Sequence, residues 1–309
     1  MHSSVSSDVF FLLPFALFQA FLIYTDFARQ PWKPMGETVA ASVAASRVQF
    51  VNSLGMKFVP VVTSSDGKAS VLFSVWETRV RDYAAYAAAK PGVDDLWNDP
   101  VFEGQPVTPG SDYPVVGVSW EDAQGFCAWL TAKERGEGKI GSEQTYRLPT
   151  DAEWSWAVGI GEAEERAGKG RSPQEKNEKI GAGRHPWAYP WGEDWTLAKG
   201  VGNYADTHAK RKFWSLSIIA FYDDGYATTS PVGSYGANAQ GLYDLGGNVC
   251  EWVEDFYDGK NGLRSLRGGS WVGHDPRNLL SSFRSVTGAE NRGDHYSGFR
   301  LVLAGAVVR

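Results

Sequence analysis

Residues 244–257 read DLGGNVCEWVEDFY: a glycine pair, an asparagine and flanking acids crowded around Cys250, Trp252, Phe256 and Tyr257. The Gly246–Gly247 joint allows a backbone course closed to other residues. A tryptophan five positions later can pin that course against a core. The acids are open to two readings. They face solvent on a turn, or some of them hold a cation that fixes the turn.

The rest of the chain has the same texture. Its 309 residues include 35 Gly, 13 Trp, 13 Tyr and 16 Phe, with 43% apolar and 21% charged residues. This is the composition of a globular, soluble, loop-rich fold whose irregular backbone is held by large aromatic side chains. The net charge of −6 argues against nucleic acid or an anionic membrane as the main partner. Two cysteines, Cys127 and Cys250, make neither a disulfide framework nor a zinc cluster, and the sequence leaves a single bridge open. Residues 9–24, VFFLLPFALFQAFLIY, are strongly apolar but short for a membrane span and interrupted by Pro14. They read as a signal-peptide core, as an anchor giving membrane association, or as a tail packed on the domain. No Lys or Arg precedes them, and Arg29 and Lys33 follow, which on the positive-inside bias would keep the rest of the chain cytoplasmic; export or anchoring and a cytoplasmic location stay equally open. Residues 1–47 are therefore taken as an apolar segment plus linker, and 48–309 as one domain.

Within that domain, FVNSLGMKFVPVV and KASVLFSVWETRV read as strands. Thr78 is expected to cap a helix burying Val80, Tyr83 and Ala87. Ser119 with Asp122, and Thr150 with Glu153, form capping boxes for two more. Trp120, Ala123, Phe126, Cys127 and Leu130 have helical spacing, so Cys127 is a core residue. The Gly-, Glu- and Lys-rich run 159–186 reads as an exposed, solvated insertion. Beyond 186 the pattern predicts short strands and long ordered loops without a clear helix.

Eight phrases in order carry a resemblance: GMKFVPV, PVVGVSWEDAQGFCAWL, YRLPTDAEWSWAV, YPWG, GNYAD, DDGYATTSPVGSYGANAQGLYDLGGNVCEW, RSLRGGSW and GFRLVL. Together they resemble the sulfatase-modifying factor family, the formylglycine-generating-enzyme type of domain, from about residue 50 to 305. The resemblance implies an α+β variant of the C-type lectin-like fold, poor in regular secondary structure. It also implies two structural calcium sites. One maps onto the Asp244 side chain, the Gly247 and Val249 carbonyls and the Glu251 side chain. The other maps onto Asn203, the Tyr204 carbonyl, Asp224 and the Tyr226 carbonyl. Calcium takes six to eight such oxygens, and a cation tying long loops offsets part of their ordering entropy.

Active members of the family oxidise a substrate cysteine with two cysteines that bind copper(I), a soft ion that prefers thiolate. The matching positions here, in RGGSWVGHDPRNLLSSFR, are Gly273 and Asn278. Neither offers sulfur, so no copper is expected. Cys127 on its helix and Cys250 in the calcium-type loop are expected to lie elsewhere. An iron-dependent branch of the fold takes its ligands from histidines of a helical domain, for which these residues hold no counterpart. His2, His185, His208, His274 and His295 have no metal-ligand spacing. His274 beside Asp275 suggests a general base with an orienting acid, but adjacent residues on a strand point to opposite faces.

What the pattern does predict is a recognition surface. Ser270, Trp271, His274, Asp275, Arg277, Arg284, His295 and Tyr296 mix aromatic anchors with polar groups near the C-terminal end, with Trp271 and Phe299 drawn towards the core. The expected function is a calcium-stabilised, non-catalytic module that binds a peptide, protein or glycan. The alternatives are an oxidoreductase of this family with a diverged site, or a protein diversified by a retroelement at 272–275 and 293–297.

Overall fold

The computed structural model describes residues 49–168, 172–181, 188–193, 195–260, 262–292 and 295–305. The apolar segment 9–24 and its linker lie outside them. Among the described residues no helix is long and apolar enough to cross a membrane.

Three strands begin the domain: β1 (Phe50–Val51), β2 (Lys57–Val62) and β3 (Ser70–Ser74). They form antiparallel hairpins, with Phe58 opposite Ser74 and Val62 opposite Ser70. Period-two alternation sorts their side chains onto two faces. Phe58 and Leu72 join one core with Phe126, Cys127 and Leu130, whereas Val59, Val61 and Phe73 join a second with Trp154 and Ala157. Helix α1 (Val80–Ala89) follows, then the small hairpin β4 (Val101–Phe102) and β5 (Gln105–Pro106). The expected Thr78 cap is displaced by one residue. Thr78 donates its N–H to the Phe299 carbonyl at 2.8 Å, so its backbone serves pairing, and Arg79 caps the helix through Asp82.

Helix α2 (Trp120–Gly136) starts at the Ser119–Asp122 capping box, and α3 (Asp151–Val158) at the Thr150–Glu153 box. In each, the side-chain oxygen of the cap accepts the N3 amide, at 3.0 Å and 3.1 Å. Each residue of the box thereby satisfies a donor that the helix leaves unpaired. Strand β6 (Thr145–Arg147) lies between them in sequence. Cys127 is buried in α2 against Phe126 and Leu130, as its spacing predicted.

The run 159–186 departs from the reading of a solvated insertion. It contains helices α4 (Gly161–Gly168) and α5 (Pro173–Gly181) and sends Glu164 and Lys176 into the interior. Glu164, Lys176 and Asp151 meet Arg267 and Arg284 there, with Lys176 Nζ 2.6 Å from Asp151 and Arg284 Nη2 2.7 Å from Glu164. Ile160 is buried as well, but a lone apolar residue makes no period, and the deeper contacts of the run are made by its charged side chains. A short helix, α6 (Thr207–Lys212), also appears where none was expected, capped by Asp206.

The C-terminal third adds β7 (Cys250–Phe256), β8 (Leu263–Arg267), β9 (Ser285–Gly288), β10 (Ser297–Gly298) and β11 (Val302–Ala304). Strand β11 inserts between β3 and β6, completing a five-stranded sheet ordered β1-β2-β3-β11-β6. A second sheet runs β10-β7-β8-β9, and its β10–β7 pair is parallel. The result is mixed α+β with long ordered loops.

Candidate functional site

The turn after β8 builds a cleft. Gly268 and Gly269 have φ of 95° and 72°, a left-handed course that glycine adopts without strain. Gly269 is also a close approach, because a β-carbon there would stand 2.7 Å from Leu279 Cδ2. The chain turns again at Ser270–Gly273, where the Gly273 N–H meets the Ser270 carbonyl at 2.8 Å. Asp275 closes the next turn by accepting the Arg277 N–H at 2.9 Å. Between these turns and β7 lies a cleft of about 180 Å³. That volume admits one or two side chains rather than a whole small molecule.

Ser270, His274, Asp275 and Tyr296 line it, together with Asn278 and Phe283. Arg277 is exposed on the same turn. Trp271 is buried: its indole N–H donates to the His295 carbonyl at 2.9 Å and its ring meets Phe102 edge-on at 5.2 Å. His295 is half-buried beside that contact, so Trp271 and His295 form the support rather than the surface. Arg284 is a correction. Its side chain is fully buried and bonds both Asp151 and Glu164, so it faces the interior ion cluster and is unavailable to a ligand. His274 and Asp275 do not form a base–acid pair, since Asp275 is spent on the turn and His274 Nδ1 faces the Val272 carbonyl at 3.4 Å.

Cys250 also lines the cleft, where the sequence had placed it out of reach. The parallel register Ser297↔Cys250 fixes β7 so that Cys250 and Trp252 share the face towards the α2 core, while Val253 turns to the other. Alternation outward from Trp252 would have revealed that orientation. Cys127 is not part of the cleft lining, and burial pushes its thiol well above the usual range. Gly273 is itself crowded: a β-carbon there would lie 2.7 Å from Leu279 Cδ2 and 2.9 Å from the Ser270 carbonyl oxygen.

Of the residues expected to form the calcium set at Asn203, Tyr204, Asp224 and Tyr226, three meet at Asp224. Its carboxylate accepts the Tyr204 and Tyr226 N–H groups, both at 2.9 Å, which brings those two residues together. Asn203 donates its amide to the Thr228 carbonyl at 2.8 Å, and its side-chain oxygen is buried with no hydrogen-bond partner. Burial, with Asp206 and Asp223 adding to it, pushes Asp224 up to about 7 against the two amide bonds that lower it. Asn203 precedes Tyr204, whose N–H the Asp224 carboxylate accepts, and a buried orphan amide oxygen and a carboxylate are donor types that a hard cation takes. Among the described residues no three Asp, Glu, His or Cys side chains converge on one point. A cation at Asp224 would therefore draw on amide and carbonyl oxygens as well.

The set expected at Asp244, Gly247, Val249 and Glu251 has its two acids in different surroundings. Asp244 is buried in a left-handed conformation (φ 56°), with Oδ2 accepting the Gly233 N–H at 2.6 Å and Oδ1 without a partner. Glu251, however, is engaged. Arg300 reaches both its oxygens at 2.6–2.8 Å, and the Trp154 indole donates at 2.8 Å. Glu251 thus shares its carboxylate with Arg300 and Trp154. Glu77 lies beside this group, accepting from the Asn248 amide at 2.7 Å, and burial together with Asp244 and Glu251 raises it well above the carboxylate range.

The sequence profile of a family described as the sulfatase-modifying factor enzyme 1-like domain matches residues 49–304. The chain belongs to this family. Relatives within it include the formylglycine-generating enzyme of Streptomyces coelicolor, 29% identical over 217 residues, which is 65% of this chain and 55% of that protein. They also include the inactive C-alpha-formylglycine-generating enzyme 2 of Bos taurus, 32% identical over 210 residues, covering 64% and 54%. The chain thus spans about half the length of the curated relatives it matches. Among solved structures, PvdO from Pseudomonas aeruginosa shares the fold at a TM-score of 0.50 and 23% identity, over 82% of this chain and 97% of that one. CarF matches at 0.50 and 26%, over 76% and 86%. The architecture is accordingly the family's variant of the C-type lectin-like fold. The family contains enzymes and proteins named inactive alike, so membership leaves the activity of this cleft to its own residues.

Proposed function

We propose that this chain is a calcium-stabilised recognition module whose cleft binds a partner segment rather than oxidising it. The observation that supports this reading is the cleft's donor set. Gly273 and Asn278 stand where copper(I) would need two sulfurs, and Cys250 is the one thiol in the lining. A single sulfur with an asparagine amide is a poor site for a soft ion. The cleft's size favours a peptide or protein segment, inserting one or two side chains, over a whole glycan. Ser270, His274, Asp275 and Tyr296 supply its polar contacts, and Phe283 an apolar wall. Calcium, held by Asn203, Asp224 and the Tyr204 and Tyr226 carbonyls, would tie down the loops around α6.

A second reading, a diverged oxidoreductase, draws on Cys250 alone. Oxygen uptake separates the two. With copper(I) and a cysteine-containing peptide, the full chain is expected to consume no oxygen above the buffer rate, and Cys250→Ser to change nothing. Copper-dependent uptake abolished by Cys250→Ser would overturn the recognition reading. Panning a random-heptapeptide library on the full chain should enrich sequences whose binding weakens about tenfold or more in Tyr296→Ala, the range for a central interface residue.

Calcium is tested separately. At a concentration about 100-fold above its dissociation constant it adds roughly 2.7 kcal/mol of stability. For a domain of this size that raises the melting temperature by about 5–10 °C over EDTA. Asp224→Asn should remove most of the rise. A melting curve indifferent to calcium would remove the metal from the proposal.

A further inference from the structure

Helix α6 and the loop that follows it, residues 207–222, hold Lys210, Arg211 and Lys212 and no Asp or Glu, on a chain whose net charge is −6. Trp214, at the start of that loop, is 84% exposed. Looseness of the loop does not account for this. Phe213, before it, is fully buried and meets Phe102 edge-on at 5.1 Å. Ser215, after it, donates its hydroxyl to Glu103 at 2.8 Å, and Lys210 Nζ donates to the Trp214 and Leu216 carbonyls at 2.6 and 2.7 Å. A backbone braced on both sides of an exposed indole has already lost the freedom that binding would otherwise cost it. The loop also borders the cleft. Leu216 packs on the same buried cluster as Val272 and Tyr296, both of which line the cleft. The Gly273 carbonyl accepts the Ala205 N–H at 3.0 Å and the Ala205 carbonyl accepts the Ile219 N–H at 2.8 Å, so a single residue links the loop to the cleft's own turn. Arg211 is paired with Asp223 at 3.1 Å, whereas no carboxylate lies within 4 Å of Lys210 or Lys212 among the described residues.

We infer that α6 and Trp214 extend the cleft into a second contact surface, and that the polypeptide segment it takes is acidic. Trp214 covers an apolar part of the segment next to the side chain inserted in the cleft, and Lys210 and Lys212 meet its carboxylates. Tryptophan is the residue type that most often carries the energy of such a contact, and charge placed around it selects the partner. This inference rests on the reading that the cleft binds a partner segment.

The experiment pans random heptapeptides on the full chain, then synthesises the enriched peptides together with counterparts carrying Asn and Gln for Asp and Glu. Asp and Glu are expected to be enriched, the acidic peptides to bind about tenfold more tightly than their neutral counterparts, and the difference to shrink at about 0.5 M salt. Trp214→Ser should weaken both forms about tenfold. Lys212→Glu should weaken the acidic form alone. Both residues are exposed, so neither variant should shift the melting temperature. Peptides that lose binding in Tyr296→Ala yet bind Trp214→Ser and Lys212→Glu as well as wild type, or that show no preference for acids, would overturn this inference and leave the cleft reading standing. No enrichment, or binding indifferent to Tyr296→Ala, would overturn both. Binding to phosphatidylserine vesicles that Trp214→Ser abolishes would overturn the inference by assigning the surface to a bilayer.

Discussion

Arg300→Met is expected to be nearly unfolded at pH 7.5 and to regain much of its structure near pH 5. Arg300 is fully buried and compensates Glu251 directly and Glu77 and Asp244 at longer range. Removing one partner of a buried pair costs about 3–5 kcal/mol because the other charge stays buried. Three carboxylates are stranded here, against a total stability that for most domains is about 5–15 kcal/mol. The pH dependence follows from protons. A carboxylate whose folded pKa lies above its unfolded value contributes stability that is full below the unfolded value and lost as pH rises through the folded one. Burial already pushes Glu77 upward and Asp244 up to about 6, and loss of Arg300 drives both further. Urea titrations of variant and wild type at pH 7.5 and 5 decide it. A variant as stable as wild type at pH 7.5 would show that the guanidinium compensates nothing.

Asp151→Asn should cost a similar amount with the opposite pH signature. Asp151 bonds Arg284 through both oxygens and Arg267 and Lys176 as well, and Glu164 shares Arg284 and Lys176. Burial pushes both acids up, but the cations dominate: Asp151 sits well below its usual range and Glu164 falls to about 2. For a depressed carboxylate, stability is present above the unfolded pKa, here 4.5 for Glu164, and disappears as pH falls towards the folded value. Wild type should therefore lose stability between about pH 4.5 and 2, while Asp151→Asn starts roughly 3–5 kcal/mol lower at neutral pH and falls less steeply in acid. Equal acid slopes in the two proteins would remove the cluster as the cause. Asp224 and Asp244, raised to about 7 and about 6, work against stability as pH rises towards neutral, so the calcium-free protein should be most stable in mildly acidic solution.

Local patterns were readable from the sequence. The capping boxes at Ser119 and Thr150 need only residues three apart, and the α2 stripe containing Cys127 declares its buried face by spacing. Arg284 was unreadable for the contrary reason. It looks like a surface arginine because the acid it bonds, Asp151, lies 133 positions away. Glu164 and Lys176 hid in a charged run for the same reason, since burial of paired charges leaves no apolar period. The missing sulfur at Gly273 and Asn278 is visible at once; alternation outward from Trp252 gives the face of Cys250, and the pairing of β7 with β10 then sets it beside the cleft. That Tyr204 and Tyr226 meet Asp224 follows from their backbone N–H groups bonding its carboxylate. That Glu251 is taken by Arg300 depends on a contact spanning 49 positions that no local motif encodes.

Strand β11 lies inside the first sheet, hydrogen-bonded to β3 on one side and β6 on the other. During synthesis, β3 and β6 therefore wait with exposed edges until Val302–Ala304 leaves the ribosome, and neither apolar layer can close before then. A nascent chain halted at residue 296 would carry every helix described above and still lack the strand that joins its halves. Such late, long-range closure makes for slow folding and a long exposure to aggregation, so chaperone dependence in the cell should be set by the last few codons of the domain.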